Sequence, residues 1–535
     1  MVVPELRPWR AAGPRVKRFA NAVRPRLTLA LGTAKPQVAR LVSTVRPLLA
    51  DLPRPRTPST LQYTAGAATA GLVLAAGVVT LAGPWDATGQ RTAERDRAVA
   101  LEHAGGADHG TAGAAGEPRP APSAPPVLTG LGPATGPADT DTGQAPAKGA
   151  TPLADVLNPL LASPSLGDTH AAVVVDAATG RRLYGTGADK GLTPASTTKL
   201  ATAVAALNAL GPDHRFTTRT AFTAAGSRLV LVGGGDPTLT AHADAGGWAS
   251  LRTLATRTAA ALRQRGVHKV TLAYDTSLYT GPALHPIGVN DNLAQVVALT
   301  ADEGRTDGSA SGPVARVADP AKDAARKFAG FLKAAGITTT APGPAKVTGH
   351  PETLATVVSP PLSALVERML TNSDNDIAEA LARQTALASG QPASFGGGAK
   401  AIAAQLKRLG LPLAGTSFHD GSGLDRTDRL TADLLTAILV KAGTPDHPGL
   451  RPLLTGLPIA HFTGTLSARY ADGAAGLVHA KTGTLTGVNT LAGTVVDRSG
   501  RLLTFAFLAS GTKDPMAAQT ALDKTATALA TCACG

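Results

Sequence analysis

The stretch TPASTTKL, residues 193–200, sets a serine and a lysine three positions apart, behind a proline and ahead of an Ala- and Leu-rich run that Gly211-Pro212 closes. The run predicts a helix from Ser196 to Leu210, ended by a glycine and a residue that cannot continue it. On such a helix positions i and i+3 share a face, so the Lys199 amine reaches the Ser196 hydroxyl. A serine hydroxyl is a weak nucleophile at neutral pH and needs an adjacent base. A lysine serves when desolvation or a second cation lowers its pKa, and a helix N-terminus favours the anion that develops. Taken alone, the pattern equally describes a serine N-cap with a solvated lysine, the commoner use of these residues.

Two further stretches change the weighting. MLTNSDNDIAEAL, residues 369–381, contains Ser373-Asp374-Asn375, and HAKTGTL, residues 479–485, places Lys481-Thr482-Gly483 on a predicted strand. In this order S-x-x-K, S-D-N and K-T-G resemble the triple signature of active-site serine penicillin-recognising enzymes. A turn or a strand end explains each motif singly, but not all three in sequence.

Around these motifs the chain divides by composition. It has 535 residues, 43% of them hydrophobic, and a formal charge of +13. The excess is local, because residues 1–60 hold twelve Lys/Arg against Glu5 and Asp51. With no aromatic-interleaved basic surface and no zinc spacing, the charge argues against a nucleic-acid partner. Arg7-Pro8, Arg24-Pro25 and Arg46-Pro47 interrupt any long helix in this basic tail. Thr57 to Trp85 carries no charge, and residues 61–83 are long and apolar enough to predict a transmembrane helix. The basic block before it places the tail in the cytoplasm and the remainder outside, as a single-pass anchor in the cell membrane. Secretion after signal cleavage is the alternative, although the preceding basic region is unusually long for a signal peptide. Residues 84–150, rich in Pro, Ala and Gly, predict an extended linker. Only Cys532 and Cys534 occur, too close together for an unstrained mutual disulfide.

The globular part is expected over 151–535. HAAVVVDAATGRRLYG, residues 170–185, predicts a hairpin. Residues 477–510 give three strand-like runs, with turns at Thr486-Gly487 and Arg498-Ser499-Gly500. An antiparallel sheet with helices packed on it is the simplest architecture. Between them, residues 213–355 mix short strands (SRLVLVGGG, HKVTLAYD) with amphipathic helices (SLRTLATRTAAALRQRG, AKDAARKFAGFLKAAG) and read as an inserted α/β region. The catalytic domain then comprises 151–212 and 356–535.

LVGGGDPTL (231–239), DNLAQVVALTADEG (291–304), DGSGLDR (420–426), GTLSAR (464–469) and AKTGTLTGVNTLAG (480–493) complete a pattern. From about 151 to 530 the chain resembles the D-alanyl-D-alanine carboxypeptidase/endopeptidases of peptidase family S13, which are low-molecular-mass penicillin-binding proteins. The resemblance implies a β-lactamase/transpeptidase-like α/β domain interrupted by a large insertion, with no metal or organic cofactor. Its substrates would be peptidoglycan stem peptides ending in D-Ala-D-Ala, with β-lactam antibiotics as acylating ligands. Carried over, it makes Ser196 the acylated nucleophile and Lys199 its general base. Ser373 passes a proton to the departing amine, and Asn375 holds the substrate amide. Lys481 supplies positive charge that keeps Lys199 neutral and attracts a carboxylate. Thr482 and Thr484, flanking Gly483, bind that carboxylate, and the backbone N–H groups of Ser196 and Thr484 form the oxyanion hole. Ser422 belongs to the pattern without a role derivable from sequence, and Asp236 reads as a turn residue.

Two other functions fit the same motifs. A class A-like β-lactamase needs a glutamate-activated water, whereas Glu379 is the last glutamate in the chain. A penicillin sensor or scaffold without turnover would not need the full set of five catalytic side chains.

Overall fold

A computed structural model describes residues 152–470 and 473–532. The basic tail, the anchor expected over 61–83 and the linker of 84–150 lie outside the described residues, as does Cys534. Among the described residues no helix is long and apolar enough to cross a membrane.

Helix α1 (Leu153–Leu161) precedes the hairpin of β1 (Thr169–Asp176) and β2 (Arg182–Thr186). Its turn forms because Asp176 Oδ1 accepts from the amides of Ala178 and Thr179 while Gly180 takes a φ of +70°. Helix α2 (Thr198–Leu210) follows, buried from Thr198 through Leu207. The chain then leaves for β3 (Thr217–Thr223), β4 (Arg228–Val232), α3 (Leu251–Gln264), β5 (Lys269–Asp275), α4 (Pro320–Ala334), the two-residue strands β6 (Thr338–Thr339) and β7 (Gly343–Pro344), and β8 (Glu352–Val358). It returns through α5 (Leu362–Asn372), α6 (Asn375–Ala388), α7 (Phe395–Arg408), α8 (Ala432–Gly443) and the single turn α9 (Pro452–Thr455). Strands β9 (Val478–Leu485), β10 (Val488–Val496) and β11 (Leu502–Ser510) and helix α10 (Pro515–Thr531) end the described fold.

The first and last strands meet. Strand β1 pairs antiparallel with β11 from Thr169↔Ser510 to Asp176↔Leu503, giving a five-stranded sheet ordered β2-β1-β11-β10-β9. Helices cover both faces, so its central strands carry apolar runs that face both ways, AAVVV in β1 and FAFLA in β11. Ala171, Val173, Val175, Ala506 and Leu508 face a core shared with α2, α5, α6 and α8. The alternate residues Ala172, Val174, Phe505 and Phe507 face α1 and α10. Phe505 and Phe507 are fully buried, each contributing roughly 1.5–3 kcal/mol. Strand β9 is left at an edge, beside the start of α2.

The second sheet has the order β6-β5-β4-β3-β8. Strands β4 and β5 run parallel, as do β5 and β6, because α3 and α4 supply the crossovers that parallel neighbours need. The core beneath these helices includes Leu229, Leu231, Leu254, Leu262, Leu272 and Phe328. Strand β8 pairs with β3 as far as Thr217↔Val358, so this sheet continues past residue 355, where composition drew the edge of the insertion. The ladder, invisible to a composition shift, sets the boundary.

Candidate active site

Ser196 does not lie on α2. It occupies a 3₁₀ turn, Ala195–Thr197, and the α-helix begins at Thr198. The helix expected from Ser196 starts later because Ala195 is held at a φ of +48°, outside the helical region. Thr490 Oγ1 and Thr197 Oγ1 both donate to the Pro194 carbonyl, at 2.8 and 2.7 Å. Gly423 presses its backbone against the Ala195 carbonyl where any Cβ would overlap it. The turn brings Ser196 to the surface of a cleft without losing its lysine, and Lys199 Nζ donates to Ser196 Oγ at 3.0 Å.

Lys199 is fully buried, and its amine is saturated with acceptors. Besides Ser196 it donates to Asn375 Oδ1 at 2.6 Å and to the Ser422 carbonyl at 2.9 Å. Burial pushes its pKa down to about 8, against the pull of Asp420, Glu379, Asp374 and Asp376. Ser422, without a derivable role in the sequence, thus enters the site through its backbone.

The S-D-N stretch is a helix junction. Ser373 ends α5 in the left-handed conformation, φ +58°, and Asp374 caps α6 by accepting the Ile377 amide at 3.0 Å. A serine in this conformation costs on the order of 1 kcal/mol, and here it turns the hydroxyl toward Lys481, whose Nζ donates to Ser373 Oγ at 2.9 Å. Asn375, the first residue of α6, donates its amide to the Asn292 carbonyl at 2.9 Å.

Strand β9 runs beside the Ser196 turn. Lys481 is fully buried and also donates to the Thr482 carbonyl at 2.8 Å. Burial drives its pKa well below the usual lysine range, and Lys199 and Arg469 push it further. In the free site, burial thus works against the positive charge that sequence reasoning expects of Lys481. Its two acceptors are neutral, the Ser373 hydroxyl and the Thr482 carbonyl, whereas Lys199 feels four carboxyl groups. Thr482 Oγ1 donates to Thr465 Oγ1 at 3.0 Å, and Thr484 is exposed in the cleft. Gly483 lets β9 approach: a Cβ there would overlap Thr490 Oγ1 and stand 2.7 Å from the Pro194 carbonyl.

The cleft, about 340 Å³, is lined by Ser196, Ser373, Asn375 and Thr484 together with Asn292, Arg305, Arg316 and Thr465, which sequence reasoning did not single out. Asn292 and Thr465 lie in quoted motifs, but Arg305 and Arg316 arrive on the irregular segment 276–319, for which spacing offers no signal. His285, Glu379 and Asp420 bring ligand atoms within 4.8 Å of one another. Their oxygens are already used by backbone amides of 421–425 and by Ser422, a poor donor set for a metal. Glu303, Asp374 and Asp376 form a second acidic group, countered by Arg305, Arg316 and Arg368.

A family model described as D-Ala-D-Ala carboxypeptidase 3 (S13) matches residues 153–312 and 305–531. The chain belongs to this family. It is 38% identical over 432 residues to carboxypeptidase DacB of Mycolicibacterium smegmatis, covering 75% of this chain and 90% of the relative. It is 29% identical to a D-alanyl-D-alanine carboxypeptidase of an Actinomadura species, over 68% of this chain and 82% of the relative. Penicillin binding protein 4 of Haemophilus influenzae shares the fold, with a TM-score of 0.57 at 22% identity over 70% of this chain and 98% of that one. The family model spans most of the described fold and does not reach residues 1–152.

Proposed function

We propose that this S13 chain hydrolyses the terminal D-Ala-D-Ala bond of peptidoglycan stem peptides through an acyl-enzyme on Ser196, with cleavage of cross-links as its second activity and β-lactams as acylating inhibitors. The observation that carries the reading is the buried Lys199 amine, 3.0 Å from the Ser196 hydroxyl and lowered to a pKa of about 8. Few structural roles justify burying an amine against a serine hydroxyl.

The chemistry follows from these positions. Ser196 Oγ attacks the carbonyl carbon as its proton passes to Lys199 Nζ, and the backbone amides of Ser196 and Thr484 receive the oxyanion. The C–N bond breaks as the proton that Lys199 took from Ser196 passes to the departing amine by way of Ser373, which Lys481 holds, leaving Lys199 neutral again. Asn375 orients the substrate amide, and Thr482 and Thr484 with Lys481 take the terminal carboxylate. That carboxylate supplies the anion Lys481 otherwise lacks, so binding holds a proton on Lys481 and its charge then opposes protonation of Lys199. Water finally cleaves the ester, releasing the shortened peptide and restoring Ser196. Release of D-Ala from an N-acylated peptide ending in D-Ala-D-Ala tests the reading. Loss of that release in Lys199→Ala is expected, and wild-type turnover by this variant would overturn it.

A β-lactamase reading has no support in the position of Glu379, which is buried and engaged by the Gly421 and Ser422 amides. A sensor without turnover has none in a cleft open at Ser196 and Thr484. We further propose that residues 61–83 anchor the chain with its catalytic part outside. Protease added to intact spheroplasts should leave only a short protected N-terminal piece. A soluble product beginning after residue 83 would instead show a cleaved signal.

A further inference from the structure

Behind Lys199 lies a buried network that the reaction as written does not use. Glu379 stands one helical turn after Asn375 on α6 and is 1% exposed. Its Oε1 accepts the Gly421 amide at 3.1 Å and the Ser422 amide at 2.9 Å. Asp420 accepts the Gly423 amide at 2.6 Å and the Asp425 amide at 2.7 Å, and it pairs with His285 at 3.0 Å. The four amide bonds fix the same few peptide units, and within them the Ser422 carbonyl points at Lys199 Nζ, 2.9 Å away. Thr202 Oγ1, on α2, grips the Gly421 carbonyl at 2.6 Å. The loop also presses Gly423 against the Ala195 carbonyl, so it braces both ends of the Ser196–Lys199 pair.

We propose that Glu379 and Asp420 are positioning residues for acylation, holding the 420–425 backbone so that the Ser422 carbonyl fixes the Lys199 amine against the Ser196 hydroxyl. The inference rests on the reading of Ser196 and Lys199 as nucleophile and base. Two buried carboxyl groups beside a lysine are costly to keep, and neither touches the cleft, since neither lines it. What they receive in return is a set of backbone amides, and what those amides hold is a carbonyl aimed at the base. An amine free to rotate among other acceptors would abstract the serine proton less often, because misplacement by an ångström costs about a hundredfold in rate.

The same carboxyl groups set the charge of the base. Lys199 is faced by Asp374 at the cap of α6, by Asp376 and Glu379 on that helix, by Asp420 from the loop, with His285 paired behind it, and by Lys481 from β9. Each carboxylate favours the ammonium form, so removing one lowers the pH at which Lys199 becomes a base. Glutamine at position 379 can accept both amides through its oxygen while carrying no charge, which separates the two effects.

The test compares wild type, Glu379→Gln and Glu379→Ala in the full chain. The acylation rate constant and the binding constant for a fluorescent penicillin are measured from pH 6 to pH 10, with Ser196→Ala as a control. Glu379→Ala should acylate about a hundredfold more slowly with unchanged binding, because the carboxylate site on β9 is untouched. Glu379→Gln should recover most of that rate, with its acid limb at lower pH than wild type. Wild-type rate and pH profile in Glu379→Ala would overturn the proposal. So would equal losses in both variants with an unmoved acid limb, the mark of a group that only fills space. Should Glu379→Ala fail to fold, the limb of Glu379→Gln against wild type decides. Labelling of Ser196→Ala would instead overturn the acylation reading itself, so the two failures are distinguishable.

Discussion

Gly483→Ala adds one methyl group at the point where β9 touches the nucleophile's turn. A Cβ at this position overlaps Thr490 Oγ1 and stands 2.7 Å from the Pro194 carbonyl and 3.1 Å from the Ser196 amide. Thr490 cannot simply turn aside, because its hydroxyl donates to the Pro194 carbonyl at 2.8 Å in a buried setting, a bond whose loss costs about 1 kcal/mol. Strand β9 must therefore retreat from the turn by a sizeable fraction of an ångström. That movement separates the two amides, of Ser196 and Thr484, proposed to hold the oxyanion. Acylation should slow about a hundredfold, while stability falls by only about 1–3 kcal/mol, in the range for overpacking a core. Single-turnover labelling with fluorescent penicillin gives the rate, and thermal melting shows whether the fold survives. A folded Gly483→Ala that acylates at the wild-type rate would refute the packing argument and the assignment of the oxyanion amides with it.

The pH profile follows from Lys199. A base must be neutral to accept the Ser196 proton, so kcat/KM should rise with pH through about 8, with roughly a tenth of molecules competent at pH 7; a flat profile between pH 6 and pH 9 would contradict this. Lys481→Ala removes a charged bond to the substrate carboxylate, worth roughly 1.5–3 kcal/mol. Its kcat/KM should drop by about ten- to a hundredfold, and the variant should no longer favour a free C-terminus over an amidated one. Thr465→Val removes the acceptor for Thr482 Oγ1 and should raise KM more than it lowers kcat, which steady-state kinetics on a D-Ala-D-Ala peptide will read.

Much of this site was legible because its chemistry demands fixed residue types on regular elements. Ser196 with Lys199, Ser373 with Asn375, and Lys481 come from three distant stretches, and the structure joins them as two bonded sets, Ser196–Lys199–Asn375 and Lys481–Ser373. Strands β1 and β11 were readable from their apolar runs, β9 and β10 from the K-T-G stretch and the turn at Thr486-Gly487, and α3, α4, β4 and β5 from their periods. Strands β3 and β8 were not: TTRTAFT and ETLATVV are threonine-rich and partly exposed, so neither alternation nor an apolar run marks them. The turn at Ala195 escaped for another reason, since its positive φ depends on Gly423 and Thr490, contacts that no local pattern contains. Glu379 is instructive in the same way. In the sequence it marked only the lack of a later glutamate, whereas in the fold its carboxylate organises the loop that faces Lys199. That burial works against a charge on Lys481 was not legible in the sequence, because burial is a property of the packed site.

The central claim is a covalent bond at Ser196. Intact-mass measurement after brief exposure to penicillin, followed by peptide mapping, tests it most directly. The account predicts a gain equal to one penicillin per chain, carried by the peptide that contains Ser196 and absent from a folded Ser196→Ala variant. An unmodified wild-type chain, or undiminished modification of Ser196→Ala, would contradict it.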